Sequence, residues 1–160
     1  MVRRAELADA PRLGEIGFEA WLDSAFGKDD KGRADRTQLR AEFDAFGIDY
    51  QHTILVAIDD AGPIGWGARE YSDHTISDLW VSPAAQGKGV GAALLAALEE
   101  AIALAGFGFA ELETYAGNAG AVRFYTRQGY EPIWRGMKSS ASLNYDLDKI
   151  RFRKTFSEAA

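Results

Sequence analysis

The segment Gln86-Gly87-Lys88-Gly89-Val90-Gly91-Ala92 gathers the residue types that hold a phosphate. Its glycines let backbone come close to an anion with no Cβ in the way. The first N–H groups of a helix have no intrahelical partner, and the helix dipole adds partial positive charge there. Lys88 supplies a full charge at the rim, and Gln86 supplies a side-chain amide. A Walker A loop needs G-x-x-x-x-G-K-[ST], but Ser82 stands where its first glycine belongs and Gly89 follows Lys88. That reading fails. A dinucleotide fingerprint fits better, since Gly87, Gly89 and Ala92 match G-x-G-x-x-A and Glu111 follows at a suitable distance. That fingerprint, however, wants its first glycine almost directly after a strand, and here Ser82 to Gln86 intervene with Pro83 among them. A ligand-free turn between strand and helix is the remaining alternative.

Elements on either side must position this loop. Val2 to Ala5 reads as a short edge strand. Asp9 is placed to cap a helix with Pro11 in its first turn, and apolar residues run at helical spacing toward Phe26. Gly27 to Asp35 reads as a loop. Thr37 to Phe46 reads as a second helix, with Gly47 at its C-cap. Three extended segments follow as an antiparallel meander: His52–Ile58, Ile64–Tyr71 and Thr75–Val81. The alternation of Gly65 and Gly67 with Ile64, Trp66 and Ala68 suggests close packing on one face. Gly89 to Ala105 is a helix apolar on nearly every side, as a helix buried on a sheet would be. Phe109–Tyr115 is a strand, Asn118–Gln128 a helix closed by Gly129, and Tyr130–Met137 and Ile150–Phe156 the last strands. A meander followed by alternating strands and helices predicts a mixed α/β sheet.

A chain of 160 residues fits one domain spanning 1–160 and can bury a sizeable core. Absence of cysteine excludes disulfides, thiol nucleophiles and cysteine zinc sites, and no metal site is expected. A net charge of −6 argues against nucleic acid as partner, because such binding needs a basic face. The first residues, MVRRAELADAP, lack the apolar run of a signal peptide, and Glu99 and Glu100 interrupt the longest apolar segment. No membrane partner and a cytoplasmic location are expected.

The stretch LWVSPAAQGKGVGAALLAALEEA resembles the acetyl-CoA site of the GNAT superfamily of N-acetyltransferases, whose pattern [QR]-x-x-G-x-[GA] is met by Gln86, Gly89 and Gly91. Further on, NAGAVRFYTRQGYEP resembles the next signature of that superfamily, with Asn118, Ala121, Phe124, Tyr125, Gly129 and Tyr130 in register. Two signatures in the right order, separated by a strand, are more specific than either alone. The resemblance implies a mixed, mostly antiparallel twisted sheet of six to seven strands flanked by about four helices and splayed where acetyl-CoA enters. It also implies an acetyltransferase with acetyl-CoA as co-substrate. Backbone N–H groups of Gln86, Gly87, Lys88, Gly89, Val90, Gly91 and Ala92 would grip the pyrophosphate. Leu79, Trp80 and Val81 would pair with the pantetheine arm and polarise the thioester carbonyl. Tyr125 occupies the position of the general acid, and Asn118 that of a residue positioning the cofactor.

Direct attack by an amine needs no protein nucleophile, so the missing cysteine removes nothing. The attacking amine must lose a proton, and Asp78, Glu113 and Glu70 are the candidate bases. His52 and His74 are expected at the surface. Trp21, Phe26, Phe43, Phe46, Tyr71, Trp80, Tyr115 and Trp134 are available for an acceptor pocket between the early helices and the late strands. The short first strand leaves room for completion by another subunit, and a homodimer is expected. The alternative from another class is a non-catalytic module that binds or senses acyl-CoA.

Overall fold

The computed structural model describes residues 1–140 and 143–157. Strand β1 (Val2–Arg4) leads through a 3₁₀ turn into helix α1 (Ala10–Asp23), followed by the short helix α2 (Ala25–Asp29) and helix α3 (Arg36–Asp49). Strands β2 (Ile54–Asp59), β3 (Gly62–Ala68), β4 (Thr75–Ile76) and β5 (Asp78–Val81) come next. Helix α4 (Val90–Leu104), strand β6 (Phe109–Tyr115), helix α5 (Ala119–Arg127) and strands β7 (Glu131–Ser140) and β8 (Tyr145–Thr155) complete the order. The described residues thus form five helices and eight strands, against the expected four and six to seven. The extra helix is α2, and the extra strand comes from a break in the third arm of the meander.

That break organises the molecule. The first sheet has the order β1-β2-β3-β5 and is antiparallel throughout. The second has the order β4-β6-β8-β7, with β4 parallel to β6 and the other pairs antiparallel. One chain segment therefore changes sheet at Ser77, pairing with β6 before it and with β3 after it. Only Thr75 and Ile76 meet β6, opposite Glu111 and Leu112. Beyond that point β5 and β6 separate. A gap opens between them.

Alternation along β3 sets the layers. Gly65 and Gly67 face α4, where a Cβ on Gly67 would come within 2.7 Å of Leu98 Cδ1 and one on Gly65 within 3.1 Å of Leu94 Cδ1. Trp66 points to the opposite face, where its indole N–H donates to the Leu13 carbonyl of α1 at 2.9 Å. A first core of Leu13, Ile16, Trp21, Leu39, Phe43, Val56 and Trp66 thus joins α1 and α3 to the first sheet. A second core of Leu95, Leu98, Ile102, Leu112, Tyr130 and Phe152 joins α4 to the second sheet. Burying a large apolar side chain contributes about 1.5–3 kcal/mol, so α4, shared by both sheets, holds them together.

Local expectations change in three places. Asp9 does not cap α1 with its side chain; it accepts the Glu6 N–H at 2.8 Å and pairs with Arg3, fixing the 3₁₀ turn before the helix. Gly27 lies in α2 rather than a loop, because Ser24 interrupts the first helix and its hydroxyl accepts the Gly27 N–H at 3.1 Å. Gly47 is interior to α3 instead of ending it, and a Cβ there would stand 3.0 Å from Ala10 Cα, so this glycine lets α1 and α3 approach.

Candidate active site

The glycine loop has the geometry of an anion cradle. Gly87 and Gly89 adopt φ values of 76° and 81°, and nothing lies within 4 Å of the space a Cβ would fill at either. Gly89 is the N-cap of α4 and offers no side chain to the first turn. Among the described residues, no acceptor meets the N–H groups of Gly87, Lys88, Gly89, Val90, Gly91 or Ala92. A row of unsatisfied donors at the positive end of a fifteen-residue helix matches a pyrophosphate in charge and hydrogen-bond sense. Lys88 is exposed at the rim. The Gln86 side-chain amide folds back to donate to the Val81 carbonyl at 3.3 Å.

Strand β5 presents a free edge beside this loop. Its Ser82 continuation donates to the Ile64 carbonyl at 2.9 Å, so by antiparallel alternation Trp80 also turns its backbone toward β3. Leu79 and Val81 accordingly turn their N–H and C=O into the gap. An extended ligand could pair with them as an added strand.

The gap widens into a cleft of roughly 930 Å³, and residues from both sheets and from α3 and α5 line it. Tyr125 reaches it from α5. Its phenol makes no hydrogen bond among the described residues, while its ring meets Phe152 and Tyr130 at centroid distances of 6.1 and 5.9 Å. Burial, reinforced by the charge of Asp78, pushes the phenol well above its ordinary value, so it stays protonated at neutral pH. Asn118 caps α5 by accepting the Ala121 N–H at 3.2 Å and also borders the cleft.

Asp78 opens β5 on the floor of the cleft. The Trp80 indole donates to its Oδ1 at 3.1 Å, and the Ser77 hydroxyl stands 2.8 Å from its Oδ2. Burial nevertheless raises its carboxyl, outweighing those two contacts. Glu70, just past β3, is raised by burial and further by the charge of Asp78. Glu113 also reaches the cleft, from β6, but in a different state. Lys138 holds it at 2.8 Å and Arg151 at 2.9 Å. Burial alone would raise its carboxyl, yet the hydrogen bonds from those two cations bring it below its ordinary value. It is the one of the three whose carboxyl moves down.

Seven of the eight aromatics named from the sequence line the cleft; Trp134 does not. Phe43 and Trp80 meet edge to face at 5.4 Å, as do Phe26 and Tyr115 at 5.0 Å. His52 is exposed, but His74 packs against Phe107 and Phe109 at about 5 Å, since the turn that carries it is folded onto the second sheet. Four charged lining residues had no signal in the sequence: Glu42 and Asp49 on α3, Lys138 on β7 and Lys149 on β8. Their strand register and helix face become visible only once the elements are packed. Among the described residues, no cluster of three metal-capable side chains occurs, and no helix is long and apolar enough to cross a membrane.

The profile of the acetyltransferase (GNAT) family matches residues 17–130, from α1 through α5. The chain belongs to the GNAT acetyltransferase family. Solved structures agree at the level of fold. The solution structure of apo YjaB from Escherichia coli superposes with a TM-score of 0.76 at 19% identity, covering 98% of each chain. PaiA N-acetyltransferase from Thermoplasma acidophilum, in complex with coenzyme A, gives 0.68 at 18% identity with 98% of each chain covered. The ribosomal-protein-S18-alanine N-acetyltransferase of Escherichia coli gives 0.67 at 18%, covering 100% of this chain and 96% of its own. No curated protein sequence matches significantly. In this GNAT fold the change of sheet at Ser77 makes the splay, and the splay makes the cleft.

Proposed function

We propose that the chain transfers an acetyl group from acetyl-CoA to a primary amine. The observation that carries this reading is the run of unpaired N–H groups from Gly87 to Ala92 beside the free edge of β5. These donors would hold the pyrophosphate, with Lys88 adding charge at the rim. Leu79 and Val81 would pair with the pantetheine arm, leaving the β5 backbone to polarise the thioester oxygen. The bound co-substrate supplies an activated acetyl thioester.

Tyr125 is suited to giving its proton to the departing sulfur, because its phenol remains protonated and its hydroxyl is not committed elsewhere. Asp78 and Glu70 are suited to receiving the proton that the amine nitrogen loses, directly or through water, as the C–N bond forms and the C–S bond breaks. Their raised carboxyls bring them nearer to an amine in proton affinity than an ordinary carboxylate would be. Glu113 is better suited to fixing Lys138 and Arg151 in the wall. Solvent reprotonates Tyr125 after each turnover.

Calorimetric titration with CoA and acetyl-CoA, followed by thiol release across an amine panel, tests this. Tight binding with amine-dependent thiol release is expected. Binding without release on any amine would favour a non-catalytic acyl-CoA-binding module instead, and failure to bind either ligand would remove both readings.

A further inference from the structure

The acceptor side of the cleft carries opposite charges on different elements. Glu42 projects from α3, and Glu70 and Asp78 stand at the β3–β5 end. Oε2 of Glu42 is shut off from solvent and has no hydrogen-bond partner among the described residues. The other carboxylate oxygen, Oε1, accepts from the Gln38 side-chain amide at 3.3 Å, and the residue borders the cavity.

Lys149 stands on the second sheet, in register with Tyr115 of β6 and Gly136 of β7. It forms no ion pair among the described residues. Among the described residues, the carboxylate that acts on it, Glu113, is already taken by Lys138 and Arg151. Burial lowers the Lys149 ammonium, and Lys138 adds to this, while Glu113 opposes it. One cavity is therefore lined by the carboxylates of Glu70 and Asp78 and by an ammonium without an ion pair among the described residues, with the rings of Phe43, Trp80 and Tyr115 bordering the same space.

A plain amine would leave Lys149 without a counterion. A purely anionic acceptor would meet Glu42, Glu70 and Asp78. We propose that the acceptor is an amino-carboxylate with an apolar side chain, its carboxylate held by Lys149 and its ammonium received by Asp78, Glu70 and Glu42. This rests on the acetyltransferase reading above. Asp78 ties the amine end to the reaction centre proposed above, since it lines the same cleft as Tyr125.

The test compares phenylalanine, leucine and methionine with their carboxamides and their decarboxylated amines in the thiol-release assay. The amides carry a less basic amine, so intrinsic reactivity does not favour the acids. Wild type should use the free acids with kcat/KM about tenfold or more above the other two series, mainly through KM. Lys149→Met should bring that ratio near one, and Lys149→Arg should keep it. Equal use of amides or amines, or a loss in Lys149→Met that falls alike on all three series, would overturn the proposal. If Lys149→Met fails to fold, calorimetry of the CoA-loaded wild type decides: free acids must bind at least severalfold tighter than amides, or the proposal falls. Acetyl-CoA binding measured alongside separates the two levels. Its absence defeats the acetyltransferase reading itself, whereas its presence with indifferent acceptor choice defeats only the amino-carboxylate.

Discussion

The Trp80 indole donates to the Asp78 carboxylate at 3.1 Å, tying a residue on the floor of the cleft to the aromatic wall formed with Phe43. Both residues belong to the four-residue strand β5, which has left the second sheet and has not yet reached the glycine loop. A carboxylate fixed in this way keeps one geometry while burial holds its proton affinity high.

Removing the charge of Asp78 should therefore change the pH profile as well as the rate. The proton acceptor must be ionised, so kcat/KM should rise with pH through a limb above the ordinary carboxylate range, because Asp78 and Glu70 are both raised. Asp78→Asn removes the like charge that helps raise Glu70. Its remaining limb should move to lower pH, with activity reduced. A limb that stays in place in this variant would exclude coupling between the two carboxyls.

Tyr125→Phe should lower kcat by about a hundredfold or more, the usual scale of a lost general acid, while CoA affinity stays within a few fold. The ring keeps its contacts with Phe152 and Tyr130, so the melting temperature should barely change. Wild-type activity should show no falling limb near pH 10 from this phenol, because burial raises it beyond that.

Two glycines separate cradle strain from ligand contact. Gly89→Val forces a β-branched residue into the left-handed region at φ 81°, at a cost of about 1–2 kcal/mol, and should abolish CoA binding. Gly91→Ala introduces a Cβ that meets Phe124 at an ordinary 3.5 Å, so stability should change by only about 0.5 kcal/mol. Because that methyl packs on Phe124 and Val81 instead of entering the cradle, calorimetry of the variant should show CoA affinity within a few fold of wild type. A large loss of affinity in Gly91→Ala would mean that the pyrophosphate sits on the Phe124 side of the helix start.

Glu113 should matter more for stability than for chemistry. Its carboxyl is lowered from an ordinary value of 4.5, so its contribution is complete above that value and fades as pH falls through the folded one. Asp9, lowered chiefly by its hydrogen bond from Arg3, acts in the same direction. Glu113→Gln leaves Lys138 and Arg151 without their shared anion and should cost about 1–2 kcal/mol at pH 7, the two partners being partly exposed. Urea unfolding at pH 7 and pH 3 should show that difference shrinking in acid.

By itself the sequence determined the glycine loop ahead of α4 and the run from β6 through α5, with Asn118 at the cap of α5 and Tyr125 within it, because those features rest on local spacing, glycine conformation and capping. Phe109–Tyr115 emerged with the bounds it has in the structure. Tertiary structure alone decided the rest. The third arm of the meander reads as one strand, since nothing local at Ser77 distinguishes a strand that stays in its sheet from one that changes sheets; the competition between β3 and β6 for its backbone makes that choice. Gly47 looks like a helix end until α1 approaches it. Glu113 and Asp78 are equivalent carboxylates along the chain. Cross-strand register gives one of them Lys138 and Arg151, and burial beside a tryptophan leaves the other with its proton affinity raised.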